Sequence, residues 1–234
     1  MTSCPCPPSV RSGSRPTVGF RFLHEAYRAA NPAFTGKITV PVLWDERTRQ
    51  IVNNESIEIA EMLNDGFDAA SADQTVDLYP SVLRRAIDTM NARIAQSLSR
   101  GVYAVGQARN QIEYNATMNE LFGFLDEIET LLADGRAFLF GDQPTLADVL
   151  IFTPLVRFDG VYNPLFRASR KRLVDYRYLA ELTQRIYDLP GVAGTVRFDH
   201  ILTHYYDGDW AVATRRGIAP EPPMIDFRNV GACG

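Results

Sequence analysis

Apolar residues recur along this chain with two different periods, and the change from one to the other divides it into parts. From Phe20 to Ala30 the run FRFLHEAYRAA sets Phe20, Leu23 and Tyr27 on one face, which predicts a short helix that Asn31-Pro32 stops. Lys37–Trp44 is β-branched and apolar and predicts a buried strand. The polar turn Asp45–Arg49 and a second strand at Gln50–Val52 complete a hairpin. Asn54 offers an N-cap, and Ile57, Ala60 and Leu63 form the stripe of a following helix. Asn64 to Asp77 is small, polar and aperiodic, a linker.

Beyond the linker the period is helical throughout. Val82, Ala86, Met90 and Ile94 mark a long helix whose apolar face Leu83, Ile87 and Leu98 widen. Met118, Leu121, Phe122, Leu125, Ile128, Leu131 and Leu132 mark another. After the Gly141-Asp142-Gln143-Pro144 break, Thr145–Asp148 reads T-L-A-D, a capping box with Asp148 in the place of Glu. It opens a helix with Leu146, Val149, Leu150 and Phe152 that the pattern places in the core. Further helices are expected near Tyr176–Tyr187 and Val192–His204, and no internal repeat is present. The expected organisation is a disordered tail over 1–18, a small α+β unit over 19–66, an all-helical domain over 78–207 and an irregular tail over 208–234.

Composition narrows the function. With 46% hydrophobic and 22% charged residues the chain is an ordinary globular protein. A net charge of −4 and a pI near 5.4 make nucleic acid a poor ligand. No uninterrupted apolar stretch of about 18 residues is present, so no membrane span is expected. The start, MTSCPCPPSVRSGSRP, has no apolar core of a secretory signal. It has the Arg, Ser and lack of acids of a transit peptide, but its prolines break any amphipathic helix, so a cytoplasmic location is expected. Cys4, Cys6 and Cys233 all lie near a terminus and form no disulfide framework. His200 and His204 share a metal-compatible spacing but lack a third ligand nearby, so no metal is expected.

The run TGKITVPVLWDERTRQIVNNESIEIAEML resembles the second half of the thioredoxin-like domain of the glutathionyl-hydroquinone reductases, or Xi-class glutathione transferases. GVYAVG, LVRFDGVY and the HYY near the end resemble the same family, so the likeness runs from about Gly19 to Tyr206. VPVLWD followed by NES is its specific signal; the T-L-A-D box is shared by many transferase classes. The resemblance implies an incomplete thioredoxin-like part (helix, β-hairpin, helix) followed by an all-α glutathione transferase C-terminal domain. It implies glutathione as co-substrate, aromatic quinol conjugates as partners, and a homodimer.

The site residues follow from the same likeness. The Val40-Pro41 bond is expected cis, turning the Val40 N–H and C=O toward the cysteinyl backbone of glutathione. Glu55 and Ser56 sit where a helix begins, and free N–H groups there favour the γ-glutamyl carboxylate, with Glu55 facing the ammonium. As residues alone, the pair reads first as a helix cap. Tyr103 and Tyr162, in GVYAVG and RFDGVY, are expected to face the quinol, a phenol hydroxyl over an apolar pocket being suited to it. Packing is the competing reading in a chain with ten tyrosines. A local ion pair between Arg157 and Asp159 would shape the adjoining loop.

Two departures stand out. After Phe166 the chain reads Arg167-Ala168-Ser169 where the family has F-K-C-N-like residues, which puts the outer pocket and the substrate in question. The family nucleophile is a cysteine of a C-P-W-A-like motif behind a first strand. About 18 residues before Phe20 are too few for a βαβ unit of roughly 30. Cys4 and Cys6 are weak candidates, since only three residues precede Cys4. The expected function is glutathione-dependent reduction of glutathionyl-hydroquinones, impaired in this form. The alternatives are a non-catalytic glutathione-binding or interaction module and an ordinary conjugating transferase. The strand at Lys37–Trp44 is expected to present an unpaired apolar edge.

Overall fold

Both periods read from the sequence become elements in the computed structural model, which describes residues 19–65 and 76–207. The expected tails, most of the linker, and Cys4, Cys6 and Cys233 lie outside the described residues. The chain divides into two units at Val76 and Asp77.

In the first unit helix α1 (Leu23–Ala30) buries Ala26 and Tyr27, and the Glu25 side chain accepts the N–H groups of Arg21 and Phe22 at its start. Strands β1 (Leu43–Asp45) and β2 (Gln50–Asn53) form an antiparallel hairpin with Trp44 opposite Ile51. Asp45 Oδ1 closes the turn by accepting the N–H groups of Arg47 and Thr48, and Arg49 takes the left-handed conformation at φ 56°. Helix α2 (Ser56–Asp65) follows and buries Ile59.

The hairpin is shorter than its sequence suggests. Lys37–Val42 is not a strand, and Ile38 and Val40 are 37% and 77% exposed. A β-branched run becomes a strand only when another strand takes up its N–H and C=O groups, and among the described residues β2 reaches no further than Leu43. The expected Asn54 cap is replaced by a division of labour. Asn53 Oδ1 accepts the Glu55 N–H at 2.8 Å, while the Asn54 amide turns inward to Tyr27 and Thr39.

The second unit is helical. Helix α3 (Arg84–Arg93) runs through a π-helical stretch, Ile94–Ser99, into α4 (Gly101–Gln107). Its core stripe is Ile87, Asn91, Ile94 and Leu98, not Val82, Ala86 and Met90, and Val82 is 89% exposed. Ile87, Ile94 and Leu98 are fully buried, and Asn91 shares their face although it is polar. Helix α5 (Gln111–Leu132) buries Met118, Leu121, Phe122, Leu125, Ile128 and Leu132 as its pattern predicts.

Helix α6 (Leu146–Arg157) begins at the predicted capping box. The buried Asp148 carboxylate accepts the N–H groups of Leu139 and Thr145 and the Thr145 hydroxyl, each at 2.8 Å. Leu146, Ile151, Phe152 and Leu155 enter the core; Val149 does not, its turn facing outward at 41% exposure. A π-helical turn, Phe158–Tyr162, continues α6 into the short α7 (Asn163–Phe166). Helix α8 (Arg177–Tyr187) lies where expected. The helix expected over Val192–His204 is broken at Val196–Arg197 into α9 (Val192–Thr195) and α10 (Phe198–Leu202), and Thr203–Asp207 closes the described chain as a π-helical turn. Among the described residues no helix is long and apolar enough to cross a membrane.

Candidate functional site

Two clusters of the expected residues form, one in each unit. In the first unit the Val40-Pro41 peptide bond is cis. Among the described residues nothing accepts the Val40 N–H or donates to its C=O, and its side chain lies in solvent. The peptide therefore offers one donor and one acceptor at the surface, the pair a strand-like ligand backbone needs.

Glu55 and Ser56 begin α2, where the first intrahelical bond runs from the Ile59 N–H to the Glu55 carbonyl. The Ser56, Ile57 and Glu58 N–H groups precede it and have no acceptor within the helix, which makes this end a place for a carboxylate. Glu55 and Ser56 are exposed, and Asn53 Nδ2 donates to Glu58 Oε2 at 2.6 Å, drawing that acid into a bond of its own.

A half-buried polar knot joins the two places. The Tyr27 hydroxyl donates to the Thr39 carbonyl at 2.9 Å and accepts from the Thr39 N–H at 3.4 Å and Asn54 Nδ2 at 3.2 Å. Asn54 Nδ2 also reaches Thr39 Oγ1 at 3.0 Å. The residue before Val40 is thus bonded to the residue before Glu55. In the sequence Tyr27 is one position of the apolar α1 stripe, and no local pattern reports the role of its hydroxyl. The only signal was a tyrosine where the stripe needs no polar atom.

In the second unit Tyr103 on α4 and Tyr162 at the end of the π-helical turn come together, ring centroids 6.1 Å apart. A third phenol links them. Tyr205, which the sequence reading left within HYY, sets its hydroxyl 2.5 Å from that of Tyr103 and 3.2 Å from that of Tyr162. Phe166 lies against all three rings, at 5.3, 5.7 and 6.0 Å. It reaches them because residue 106 is glycine: a Cβ there would stand 2.7 Å from Phe166 Cγ.

Burial is the main cause that pushes all three phenols up, Tyr162 to about 12, so each is neutral at ordinary pH and can donate as well as accept. Arg157 pulls weakly the other way on each. Such a cluster suits an aromatic guest carrying hydroxyl or carbonyl oxygens.

The loop behind the cluster is held differently from expectation. Arg157 and Asp159 form no ion pair. Arg157 donates to the Thr153 carbonyl, and Asp159 accepts the N–H of Leu173 at 2.5 Å and of Val174 at 3.3 Å. Free N–H groups at the start of the helical turn Leu173–Asp175 attract that carboxylate more specifically than a flexible guanidinium does. The Arg167-Ala168-Ser169 segment folds back over Tyr162, with Ala168 buried and its N–H bonded to the Tyr162 carbonyl at 3.1 Å. Arg167 adopts φ 62°, its carbonyl held by the Tyr114 hydroxyl at 2.6 Å.

His200 lies 3.8 Å from Asp199 and His204 packs edge-on to Tyr205. Among the described residues no group of three or more His, Cys, Asp or Glu is placed to hold a metal ion.

Comparison with known proteins gives this geometry relatives. Residues 111–186 match the family model of the glutathione S-transferase C-terminal domain. The chain is 42% identical over 185 residues to the glutathionyl-hydroquinone reductase YqjG of Escherichia coli K12, covering 79% of this chain and 56% of that protein. It is 40% identical over 205 residues to the glutathionyl-hydroquinone reductase PcpF of Sphingobium chlorophenolicum, covering 88% and 64%. It therefore spans less than two thirds of the length of these curated relatives.

Among solved structures, glutathione-bound YqjG aligns with a TM-score of 0.87 at 37% identity, covering 96% of this chain and 73% of that one. Glutathione transferase Xi 1 of Trametes versicolor aligns with a TM-score of 0.84 at 34% identity, covering 93% and 75%. The helix–hairpin–helix unit is accordingly the thioredoxin-like part, and the helical unit is the C-terminal domain of that fold. By sequence and by fold, the chain belongs to the glutathionyl-hydroquinone reductase family, the Xi class of glutathione transferases.

Proposed function

We propose that this chain takes part in glutathione-dependent reduction of glutathionyl-hydroquinones, its first unit gripping the tripeptide and its second facing the quinol. The observation that carries the reading is the surface peptide of Val40, cis to Pro41, with its N–H and C=O unpaired among the described residues. In this reading it pairs with the cysteinyl backbone of glutathione. Ser56 and the first N–H groups of α2 take the γ-glutamyl carboxylate, and Glu55 the ammonium. The relatives support the ligand, since YqjG is solved with glutathione bound and both curated relatives are reductases of glutathionyl-hydroquinones.

In the second unit the neutral hydroxyls of Tyr103, Tyr162 and Tyr205 meet the quinol oxygens. The reaction assigned is attack of a thiolate on the glutathionyl sulfur, which breaks the carbon–sulfur bond, returns a proton to the ring carbon and frees the hydroquinone. The resulting mixed disulfide is resolved by a second glutathione thiolate, giving glutathione disulfide and the original thiol. Cytoplasmic placement and a homodimer belong to the same reading.

A second reading, a glutathione-binding module without turnover, is favoured by one observation: among the described residues no cysteine stands in either cluster. Turnover of a glutathionyl-hydroquinone by this chain separates the two. Activity that survives the Cys4→Ser, Cys6→Ser double variant excludes both thiols as the nucleophile. The grip is tested by calorimetry. Glu55→Ala and Ser56→Ala are each expected to weaken glutathione binding about five- to a hundred-fold, the range of a lost charged hydrogen bond. Unchanged affinity in both variants rejects the assignment.

A further inference from the structure

Val40 is poorly held by its own surroundings. Its side chain is 77% exposed and contributes little packing. Lys37–Val42 belongs to no strand, so no ladder fixes its peptide planes. Yet a backbone rung works only if its N–H and C=O point the right way within a few tenths of an ångström.

What fixes the turn is one residue back. Thr39 is bonded through its N–H, its C=O and its hydroxyl, and every one of those bonds leads to Tyr27 or Asn54. The Tyr27 hydroxyl has one proton and two lone pairs. Its proton goes to the Thr39 carbonyl, and the Thr39 N–H and the Asn54 amide meet its lone pairs. Tyr27 is itself packed in place, 4% exposed on α1 with its ring against Phe34 at 4.8 Å. Asn54 stands next to Glu55, whose N–H is held by Asn53.

We infer that the Tyr27 hydroxyl is a positioning group for glutathione, setting the Val40 peptide at a fixed separation and angle from the Glu55–Ser56 helix start; the inference rests on the glutathione grip assigned above. Tyr27 need not touch the ligand. It holds both arms of the grip to one buried point, so that a ligand of fixed length meets them together. A shared anchor of this kind makes the arms interdependent, which separate anchors would not.

The test is a double-mutant cycle on the whole chain, read as glutathione affinity by calorimetry. Tyr27→Phe removes one oxygen and keeps the ring, and is expected to weaken binding about five-fold or more. In the Tyr27→Phe background, Ser56→Ala is expected to weaken binding by a factor at least about three-fold smaller than in the parent, because the arms no longer act as a unit. A role in folding alone lowers the melting temperature and leaves the two effects multiplicative. Asn54→Ala and Asn54→Leu each sever the bonds from Asn54 to the Tyr27 hydroxyl and to Thr39 Oγ1, and should reproduce the loss. These variants carry the test if Tyr27→Phe fails to fold.

Affinity within two-fold of the parent in Tyr27→Phe, while Ser56→Ala weakens binding, overturns the inference and leaves the grip in place. Multiplicative effects overturn it likewise. If Ser56→Ala and Glu55→Ala bind glutathione as the parent does, the grip falls and takes the inference with it.

Discussion

Removing the central hydroxyl of the phenol cluster, Tyr205→Phe, makes a demand on the structure at two levels. The hydroxyl lies 2.5 Å from that of Tyr103 and 3.2 Å from that of Tyr162. At about 0.5–1.5 kcal/mol net for each hydrogen bond, their loss is expected to destabilise the protein by about 1–3 kcal/mol. The ring remains, so its contacts with Tyr162 and Phe166 at 5.9 and 6.0 Å are kept and no large cavity opens.

The second level is titration. Burial is the main cause that raises Tyr162 from 10.0 to about 12, and its bond to Tyr205 opposes that rise. In the variant Tyr162 therefore moves further up. Tyr103 moves down, because its bond to Tyr205 had added to the effect of burial. A folded pKa above the unfolded one means that stability is fully present below pH 10. It is lost as pH climbs toward 12, where the unfolded chain has released the proton and the folded chain has not. For Tyr162 the loss approaches about 3 kcal/mol as pH reaches about 12. Urea unfolding at neutral and alkaline pH measures the stability, and ultraviolet absorbance of phenolate follows the titration. Parent and variant with the same stability and the same titration curve would refute the cluster.

Two more substitutions probe what supports the site. Gly106→Ala sets a methyl group 2.7 Å from Phe166 Cγ, so the ring must shift, at about 1–3 kcal/mol, with a change in near-ultraviolet circular dichroism from the aromatic cluster. An unaltered spectrum and melting temperature would contradict the close approach. Asp148→Ala strips the α6 cap of the acceptor for Leu139, Thr145 and the Thr145 hydroxyl, and should destabilise by about 2–4 kcal/mol in urea unfolding while glutathione affinity is retained.

The helical domain was the more legible part because its signals are local. The α5 stripe and the T-L-A-D box are written in consecutive residues of one helix or its cap, and both appear as read. Lys37–Val42 misled because strand formation depends on a partner far along the chain, and no local pattern reports whether that partner is present. The α3 stripe differs because Val82 falls before the helix, which begins at Arg84, and because tertiary packing buries the Ile87 face instead of Ala86 and Met90. Of the candidate sites, Tyr103 and Tyr162 were named by motif, but Tyr205 meets Tyr103 from 102 positions away. The Tyr27–Thr39–Asn54 knot likewise spans 12 and 27 positions, and its hydroxyl was indistinguishable in the sequence from one more aromatic on an apolar face.

The most direct test of the glutathione grip is residue-resolved: adding glutathione to isotopically labelled protein and following the backbone amide resonances. The account predicts saturable shifts centred on the amides of Val40, Ser56 and Ile57, with Thr39 and Asn54 following as their shared anchor is loaded. Shifts confined to other parts of the chain, or none at the highest glutathione concentration the sample tolerates, would contradict it.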